Sequence, residues 1–326
     1  MGCTILMLWL GCACASSEPI VAAFWNVENL FDAHDDQDAD DDEFTPRSPL
    51  HWTEEVYHRK LAQIRSGIAL VGKARFPDLL GLAEVERRGV IAALLAREFP
   101  LEPVAIVHEQ SPGARGIDVA LCYRTDRFRE LEHGSLRVQG GRTRDILYVR
   151  LASADDGDAV LHVLVNHWPA RRADAGLRAA AARTCRAQVD RILAQDARAD
   201  ILVLGDFNDE PGDDSVARTL GAGAAAEASA ALVNLALAAK QAGEGTIAFA
   251  KTWQLFDQVI VSRGLLSAPG FMVSAPGFRI VADPLLRVRA DGPPRRFVFR
   301  GVVDPGGFSD HLPVRVTLEL TPPRAD

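Results

Sequence analysis

Hydrophobic positions along this chain follow two different spacings. Short apolar runs bounded by glycine, proline or acidic residues predict strands. These runs lie at Ile20–Val27, Leu79–Ala83, 103–108, 117–123, 145–151, 159–165, Ile201–Leu204, Gln258–Ser262 and Leu312–Leu320. Apolar residues spaced three and four apart, or long alanine-rich stretches, predict helices. These stretches lie at Thr53–Lys73, Gly89–Phe99, Leu177–Ala194 and 215–242. Because runs of two or more strands separate the helices, we expect helices packed outside paired sheets.

Polar side chains stand where several of these strands end or begin. In ILVLGDFND, an apolar run leads into Asp206 and Asn208, which share one face because they are two residues apart. The same pattern places polar residues at Asn26, Glu28, Glu84, Asn166, His167, Asp257, Ser309, Asp310 and His311. Each of these alone is typical of a cap or a turn. Together they indicate elements that converge at one edge of a packed sheet.

This set of side chains favours one kind of chemistry. Glutamates and aspartates are hard oxygen ligands, which suit Mg²⁺ or Mn²⁺ and not zinc. Two histidines supply acid–base groups, and Asp257 supplies a carboxylate that could orient an imidazole. The residues therefore predict metal-assisted hydrolysis of a phosphoester.

Composition and charge limit the kinds of molecule that the protein would attract. The chain has 326 residues, of which 48% are hydrophobic and 25% charged, as in ordinary soluble proteins. Its net charge of −8 comes from residues 32–43, which hold eight acids and no Lys or Arg. The other 36 acids (44 minus 8) balance 36 basic residues. The rest of the chain is therefore neutral and has no overall positive field that would attract nucleic acid. We interpret the acidic run as a solvated loop, with weak calcium binding as the alternative.

The N-terminus indicates export. The apolar segment Ile5–Leu10 precedes Ala13-Cys14-Ala15, as in a secretory signal, although the usual positive charges are missing. We expect residues 1–15 to be removed and the protein to be periplasmic or secreted. The alternative is a lipoprotein signal at Cys12, with a lipid anchor at the membrane surface. No apolar run is long enough for a transmembrane helix. Cys122 and Cys185 would remain, and a disulfide between them is left open.

Seven stretches carry a resemblance to a known family. They are FWNVENLFD, GLAEVE, RGIDVALCYR, VNHWPAR, GDFND, FDQVIVS and FSDHLPV, between residues 24 and 314. The chain resembles the endonuclease/exonuclease/phosphatase superfamily, and in particular a bacterial, often exported subgroup. The resemblance implies one domain at 19–322, a four-layer α/β/β/α sandwich of two packed, mainly antiparallel sheets with helices outside, and a site at one edge of the sheets.

The same resemblance implies roles for individual residues. Glu84 is the central metal ligand with Asn26 and Glu28 beside it, and Asp310 is a further ligand for Mg²⁺ or, alternatively, Mn²⁺. Asp206 and Asn208 position or activate the attacking water.

His311, paired with Asp257, is the general base or stabilises the transition state, and the choice of base between His311 and Asp206 stays open. His167 contacts the phosphate or assists the leaving group. Arg115, Arg171 and Asn166 are the predicted phosphate contacts, since guanidinium groups match phosphate oxygens and an asparagine amide is a neutral donor. A solvated arginine is the alternative for Arg171.

The substrate is the least specified part of the prediction. A nuclease acting on DNA or RNA by in-line attack is the first hypothesis, because arginines between 287 and 300 could follow a nucleic-acid backbone. A phospholipid or inositol-phosphate esterase is the alternative, because the body is neutral and lacks an aromatic stacking platform. A catalytically silent binding module is the third hypothesis, disfavoured because every expected catalytic position is present. We expect a monomer.

Overall fold

A computed structural model of the chain describes residues 18–227, 230–249, 252–275 and 277–321. The predicted export signal at 1–15 lies outside these residues, so export stays a prediction. Within the described ranges, no helix combines the length and the apolar character needed to cross a membrane.

Two seven-stranded sheets form the frame of the protein. In chain order the strands are β1 (Ile20–Leu30), β2 (Leu79–Val85), β3 (Val104–His108), β4 (Asp118–Arg124), β5 (Phe128–Leu136), β6 (Ile146–Ser153), β7 (Val160–His167), β8 (Asp200–Asp206), β9 (Ala222–Gly223), β10 (Leu232–Asn234), β11 (Ile247–Phe249), β12 (Thr252–Gln254), β13 (Asp257–Ser262), β14 (Gly270–Val273), β15 (Arg279–Ile280), β16 (Val298–Phe299), β17 (Val302–Val303) and β18 (Val314–Thr321). The helices are α1 (Glu54–Val71), α2 (Arg88–Glu98), α3 (Ala175–Gln195) and α4 (Leu237–Gln241).

The first sheet has the order β14-β18-β1-β2-β4-β3, with β15 also paired to β18, and the second has the order β5-β6-β7-β8-β13-β10-β9. Most neighbouring strands are antiparallel, but β1 and β2, β7 and β8, and β9 and β10 run parallel. The two sheets pack face to face, with α1 and α2 outside the first and α3 outside the second. The predicted four-layer α/β/β/α sandwich is confirmed.

Strand β8 shows why the central strands read as continuous apolar runs. Leu202 and Leu204 point into the core between the sheets, whereas Ile201 and Val203 pack in the cluster beneath α3. All four side chains are fully buried. A strand covered on both faces has no polar side, so its apolar residues are consecutive rather than alternating.

The predicted helices α1, α2 and α3 are confirmed, and Thr53 caps α1 by accepting a hydrogen bond from the backbone N–H of Val56. The prediction of helix over 215–242 is wrong. The described part of that segment holds a π-helical turn at Ser215–Leu220, the strands β9 and β10, and only one turn of helix, α4. Helix propensity is overridden here because β10 pairs with β13 and extends the second sheet.

The structure also shows the state of the two cysteines and of the acidic run. Cys122 and Cys185 are free and buried in clusters on opposite outer faces of the sandwich, so they do not form a disulfide. Most of the acidic run is solvated as expected, but Asp32 and Asp41 are buried.

Candidate active site

The topology brings the polar strand ends to one edge of the sandwich. The parallel pairs β1–β2 and β7–β8 deliver their carboxyl ends there. The antiparallel strand β13 begins at the same place, so Asp257 lies opposite Asp206 in the pairing register. On the other side of β8, His167 is also paired with Asp206. The predicted convergence of these residues is therefore seen in the structure.

The backbone is unusual at this edge. Glu28, Asn29, Glu84 and Asn208 have φ angles of 53°, 55°, 62° and 50°, and they are four of the eight non-glycine residues with positive φ in the described part of the chain. The pairing of β2 shifts register at Glu84 on both of its sides, toward β1 and toward β4. A bulge of this kind re-aims a side chain, and left-handed backbone at non-glycine residues concentrates at functional sites.

An amide joins the two central carboxylates. The Asn26 Nδ2 group donates to Asp206 Oδ2 at 3.1 Å and to Glu84 Oε1 at 3.4 Å. Backbone N–H groups hold the remaining oxygens, because Asn29 donates to Glu84 Oε2 at 2.9 Å and Asn208 donates to Asp206 Oδ1 at 2.9 Å. Burial raises the pKa of Asp206 to about 7, with Asp257 adding to the shift and His311 opposing it. Asp206 is thus held in place and titrates near neutrality.

His311 and Asp257 form a buried pair. The Nδ1 atom of His311 lies 2.7 Å from Asp257 Oδ2, and its Nε2 atom lies 3.8 Å from Asp206 Oδ2. Burial alone would lower the pKa of His311, but the carboxylates of Asp257 and Asp206 and the hydrogen bond to Asp257 raise it well above the ordinary range. The Trp25 indole N–H donates to the backbone carbonyl of His311 and fixes its position. These interactions favour the imidazolium form of His311.

His167 is the neutral histidine of the site. Its Nε2 atom lies 3.6 Å from Asp206 Oδ2 and 3.9 Å from Glu84 Oε1, distances that would allow ion pairs if it were charged. Burial, together with the cations Arg144, His311 and Arg115, lowers the pKa of His167 well below its ordinary value. Its Nδ1 atom is buried without a hydrogen-bond partner. The two histidines therefore carry different protonation states.

Arg144 is a site residue that the sequence reasoning missed. Its guanidinium donates to the carbonyls of His167 and Trp168, each at 3.2 Å. It also interacts electrostatically with Glu84 and Asp206. The available signal was its place just before β6, because the start of β6 lies at the same edge as the end of β7. The predicted Arg115 lies at this side too and donates to the Asn29 side chain.

Like Arg115, the other two predicted phosphate contacts have partners within the protein. Asn166 is fully buried, where its amide donates to the carbonyls of Leu164 and Leu204 and accepts from the Trp168 indole. Arg171 bonds to Asp213 and to the carbonyl of Asn208, and its guanidinium lies over the Phe256 ring. Asn166 thus supports the strand ends from within, and Arg171 is tied to the loop after β8.

Two predicted metal ligands are also engaged. Arg296 contacts Glu28 Oε1 at 2.9 Å and Asp310 Oδ2 at 3.1 Å. The second oxygen of Glu28 accepts a hydrogen bond from the Phe297 backbone N–H at 2.8 Å. Both oxygens of Glu28 are therefore used inside the protein.

The remaining donors fit a hard divalent cation. Ligand atoms of Asp206, Asp257 and His311 lie within 4.8 Å of one another, and Asp257 Oδ1 is buried without a partner. His311 and Asp257 are already bonded to each other, which favours an acid–base role for that pair. Glu84 is the most open of the central carboxylates, because its side chain is 16% exposed against 2% for Asp206. Oxygen ligands of this type suit Mg²⁺ or Mn²⁺.

Known proteins share this arrangement of elements. The family model described as Endonuclease/Exonuclease/phosphatase family matches residues 21–320. Among curated proteins, none matches the chain. Similar solved structures include TDP2 from D. rerio complexed with a single strand DNA product, with 15% identity, 93% of this chain and 99% of that chain covered, and a TM-score of 0.59.

Two further structures are similar over nearly the whole chain. The human nocturnin catalytic domain with bound sulfate has 16% identity, 93% and 95% coverage of this chain and that one, and a TM-score of 0.56. A mannosyl-6-phosphatase from Bacteroides thetaiotaomicron has 16% identity, 92% and 99% coverage, and a TM-score of 0.56. At these identities the likeness shows the fold and leaves the substrate open.

Proposed function

The chain belongs to the endonuclease/exonuclease/phosphatase family of phosphoester hydrolases, and we propose that it is a Mg²⁺-dependent nuclease that cleaves phosphodiester bonds by in-line attack of water. The observation that carries the proposed mechanism is a cationic side chain beside a carboxylate, because the Nε2 atom of His311 lies 3.8 Å from Asp206 Oδ2. His311 is held as a cation, while the neighbouring Asp206 titrates near neutrality. An acid and a base with separated pKa values are what hydrolysis at neutral pH requires.

In the proposed mechanism Asp206 accepts the proton of the attacking water. Its pKa of about 7 is well matched to this task, because a general base is most effective when its pKa lies near the working pH. Asn208 holds the Asp206 carboxylate through its backbone N–H, and Asn26 holds it from the other side. His311, as an imidazolium, stabilises the charge that develops on the phosphoryl oxygens. In this mechanism Asp206, and not His311, is the general base.

His167 and Arg144 complete the phosphate-facing side. The neutral imidazole of His167 can donate a hydrogen bond, and the guanidinium of Arg144 adds positive charge beside it. Glu84, next to Asn26, would hold the divalent cation, which when bound would neutralise negative charge on the phosphoryl group. Glu84 suits this role because its side chain is more exposed than that of Asp206.

One observation favours a second candidate function. Four arginines of the segment 287–300 are occupied within the chain: Arg287 bonds to a backbone carbonyl, and Arg289, Arg295 and Arg296 pair with carboxylates. Paired arginines add little attraction for a long polyanion. A small phosphoester or a lipid head group is therefore the alternative substrate class.

The test is hydrolysis by the purified protein of plasmid DNA, RNA, bis-p-nitrophenyl phosphate, p-nitrophenyl phosphate and sphingomyelin, each with Mg²⁺ and with EDTA. DNA or RNA cleavage that requires Mg²⁺, falls steeply with added salt and disappears in Asp206→Ala would support the nuclease. Cleavage of the small esters or sphingomyelin alone would support the alternative. Full activity in EDTA, or in Asp206→Ala, would refute the mechanism.

A further inference from the structure

Arg296 lies where the resemblance implied a metal ion. Its guanidinium bridges the carboxylates of Glu28 and Asp310, at 2.9 Å and 3.1 Å. Both were predicted from the sequence as metal ligands. The arginine comes from the irregular segment between β15 and β16, far along the chain from Glu28.

The surroundings hold this guanidinium in place. Glu28 is 2% exposed, and its other oxygen accepts from the backbone N–H of Phe297, the residue next to Arg296. Lys60 is fully buried, donates to the Phe308 carbonyl at 2.8 Å and lies over the Phe297 ring at 4.7 Å. The contacts of Phe297 fix the end of the segment next to Arg296.

The charges explain why a cation is needed at this position. Glu28 is buried, Arg296 contacts both Glu28 and Asp310, and the buried Lys60 also interacts electrostatically with these two carboxylates. Leaving two such carboxylates without a counter-charge is costly, so the pair needs a cation. A guanidinium satisfies this need with charge-assisted hydrogen bonds and requires no metal.

We propose that Arg296 takes the place of a divalent cation between Glu28 and Asp310, so that the protein binds one ion, on the Glu84 side, and not two. This inference rests on the proposed metal dependence and adds the number of ions. Arg296 acts here as a positioning residue, since it neutralises Glu28 and Asp310 and keeps both away from the bound ion.

The experiment counts Mn²⁺ ions bound per chain by isothermal titration calorimetry, with free Mn²⁺ followed by electron paramagnetic resonance. We expect one ion for the wild type and for Arg296→Lys, which keeps the positive charge. We expect two ions for Arg296→Gln, because Glu28 and Asp310 then lose the guanidinium that pairs with both and keep only the field of Lys60. We expect one ion again for the double variant Arg296→Gln/Asp310→Asn. Arg295→Gln is the matched control, because the neighbouring Arg295 pairs with Asp304 instead, and it should bind one ion.

Other results would contradict either the inference alone or both the inference and the proposed function. Two ions on the wild type, or one on a folded Arg296→Gln variant, would overturn the inference and leave the proposed function standing. No ion on the wild type would overturn both. If Arg296→Gln does not fold, Asp310→Asn in the wild-type background decides: a change in Mn²⁺ affinity below about threefold supports the inference, and a loss above about tenfold overturns it.

Discussion

Replacing Asp257 by asparagine should convert His311 from an imidazolium into a neutral imidazole. Asp257 is fully buried, His311 is 6% exposed, and their hydrogen bond measures 2.7 Å. Without this carboxylate, the effect of burial, which lowers the pKa of His311, is opposed mainly by Asp206. We expect the pKa of His311 to fall from well above its ordinary value toward or below that value.

The expected loss of stability follows from the lost hydrogen bond between His311 and Asp257. A hydrogen bond to a charged group contributes about 1.5–3 kcal/mol. The raised pKa means that this stabilisation is fully present below about pH 6.5, where His311 is charged in both folded and unfolded chains, and is lost as the pH rises through the folded-state pKa. Asp257→Asn should therefore destabilise the protein by about 2 kcal/mol at pH 6 and by less at high pH. Because the transition state loses its cation, kcat should fall about 10²–10⁴-fold at pH 8.

The assays are urea unfolding between pH 6 and 10, an NMR titration of His311, and the pH profile of kcat on the best substrate found. Asp126→Asn is a suitable control, because Asp126 is exposed and pairs with Arg124 outside the site. An Asp257→Asn variant that retains wild-type kcat at pH 8 would refute the reasoning. So would an unchanged pKa of His311.

Three further changes test other parts of the structure. Glu84→Gln keeps the shape of the side chain but removes its charge, so kcat should fall at least about 100-fold with the fold intact; a rate within fivefold of wild type would contradict the role of Glu84. Gly67→Ala places a Cβ atom 2.3 Å from the Trp25 ring, so urea unfolding should show a loss of about 1–3 kcal/mol, whereas Gly89→Ala, whose nearest neighbour is at 3.6 Å, should show no loss. Burial raises the pKa of Asp200 to about 7, so the folded protein binds more protons than the unfolded chain between about pH 4 and 7, and stability falls as the pH rises through that window. Asp200→Asn should remove this dependence, worth at most about 4 kcal/mol, and an equal change in unfolding free energy between pH 5 and 8 in both proteins would contradict it.

The layers and most of the site could be predicted because they depend on local patterns. Continuous apolar runs such as Ile201–Leu204 identify strands buried on both faces, and polar residues at their ends identify the edge. The edge strand β5 gave no such signal, because FRELEHGSL is largely exposed and its apolar residues do not alternate. The helix prediction for the alanine-rich segment after β8 was wrong for a different reason, because pairing of β10 with β13 outweighs helix propensity.

Within the site, the sequence predicts which residues converge but not which of them pair with each other. Asn26, Glu84, Asp206 and His311 meet as expected, yet their protonation states depend on burial that no local pattern reports. Asn166 illustrates the limit: its neighbour His167 faces the carboxylates, while the Asn166 side chain points into the protein, as alternation along a strand requires. Applied to Asn166 and His167, the same alternation rule predicts that only one of the two side chains faces the site.

Arg296 belongs to a different class of site residue, and this explains why the number of ions is harder to predict than the chemistry. Strand ends are fixed by the sheets, so their catalytic side chains keep their places whatever the loops do. The segment around Arg296 has little regular structure, and three contacts fix it: Phe297 N–H on Glu28, Lys60 on the Phe308 carbonyl, and Lys60 over the Phe297 ring. Since Lys60 lies on α1, a helix packed on the first sheet, these contacts tie the backbone next to Arg296 to the frame of the protein. A residue from an irregular segment can thus set the charge of a site whose catalytic groups come from the strands.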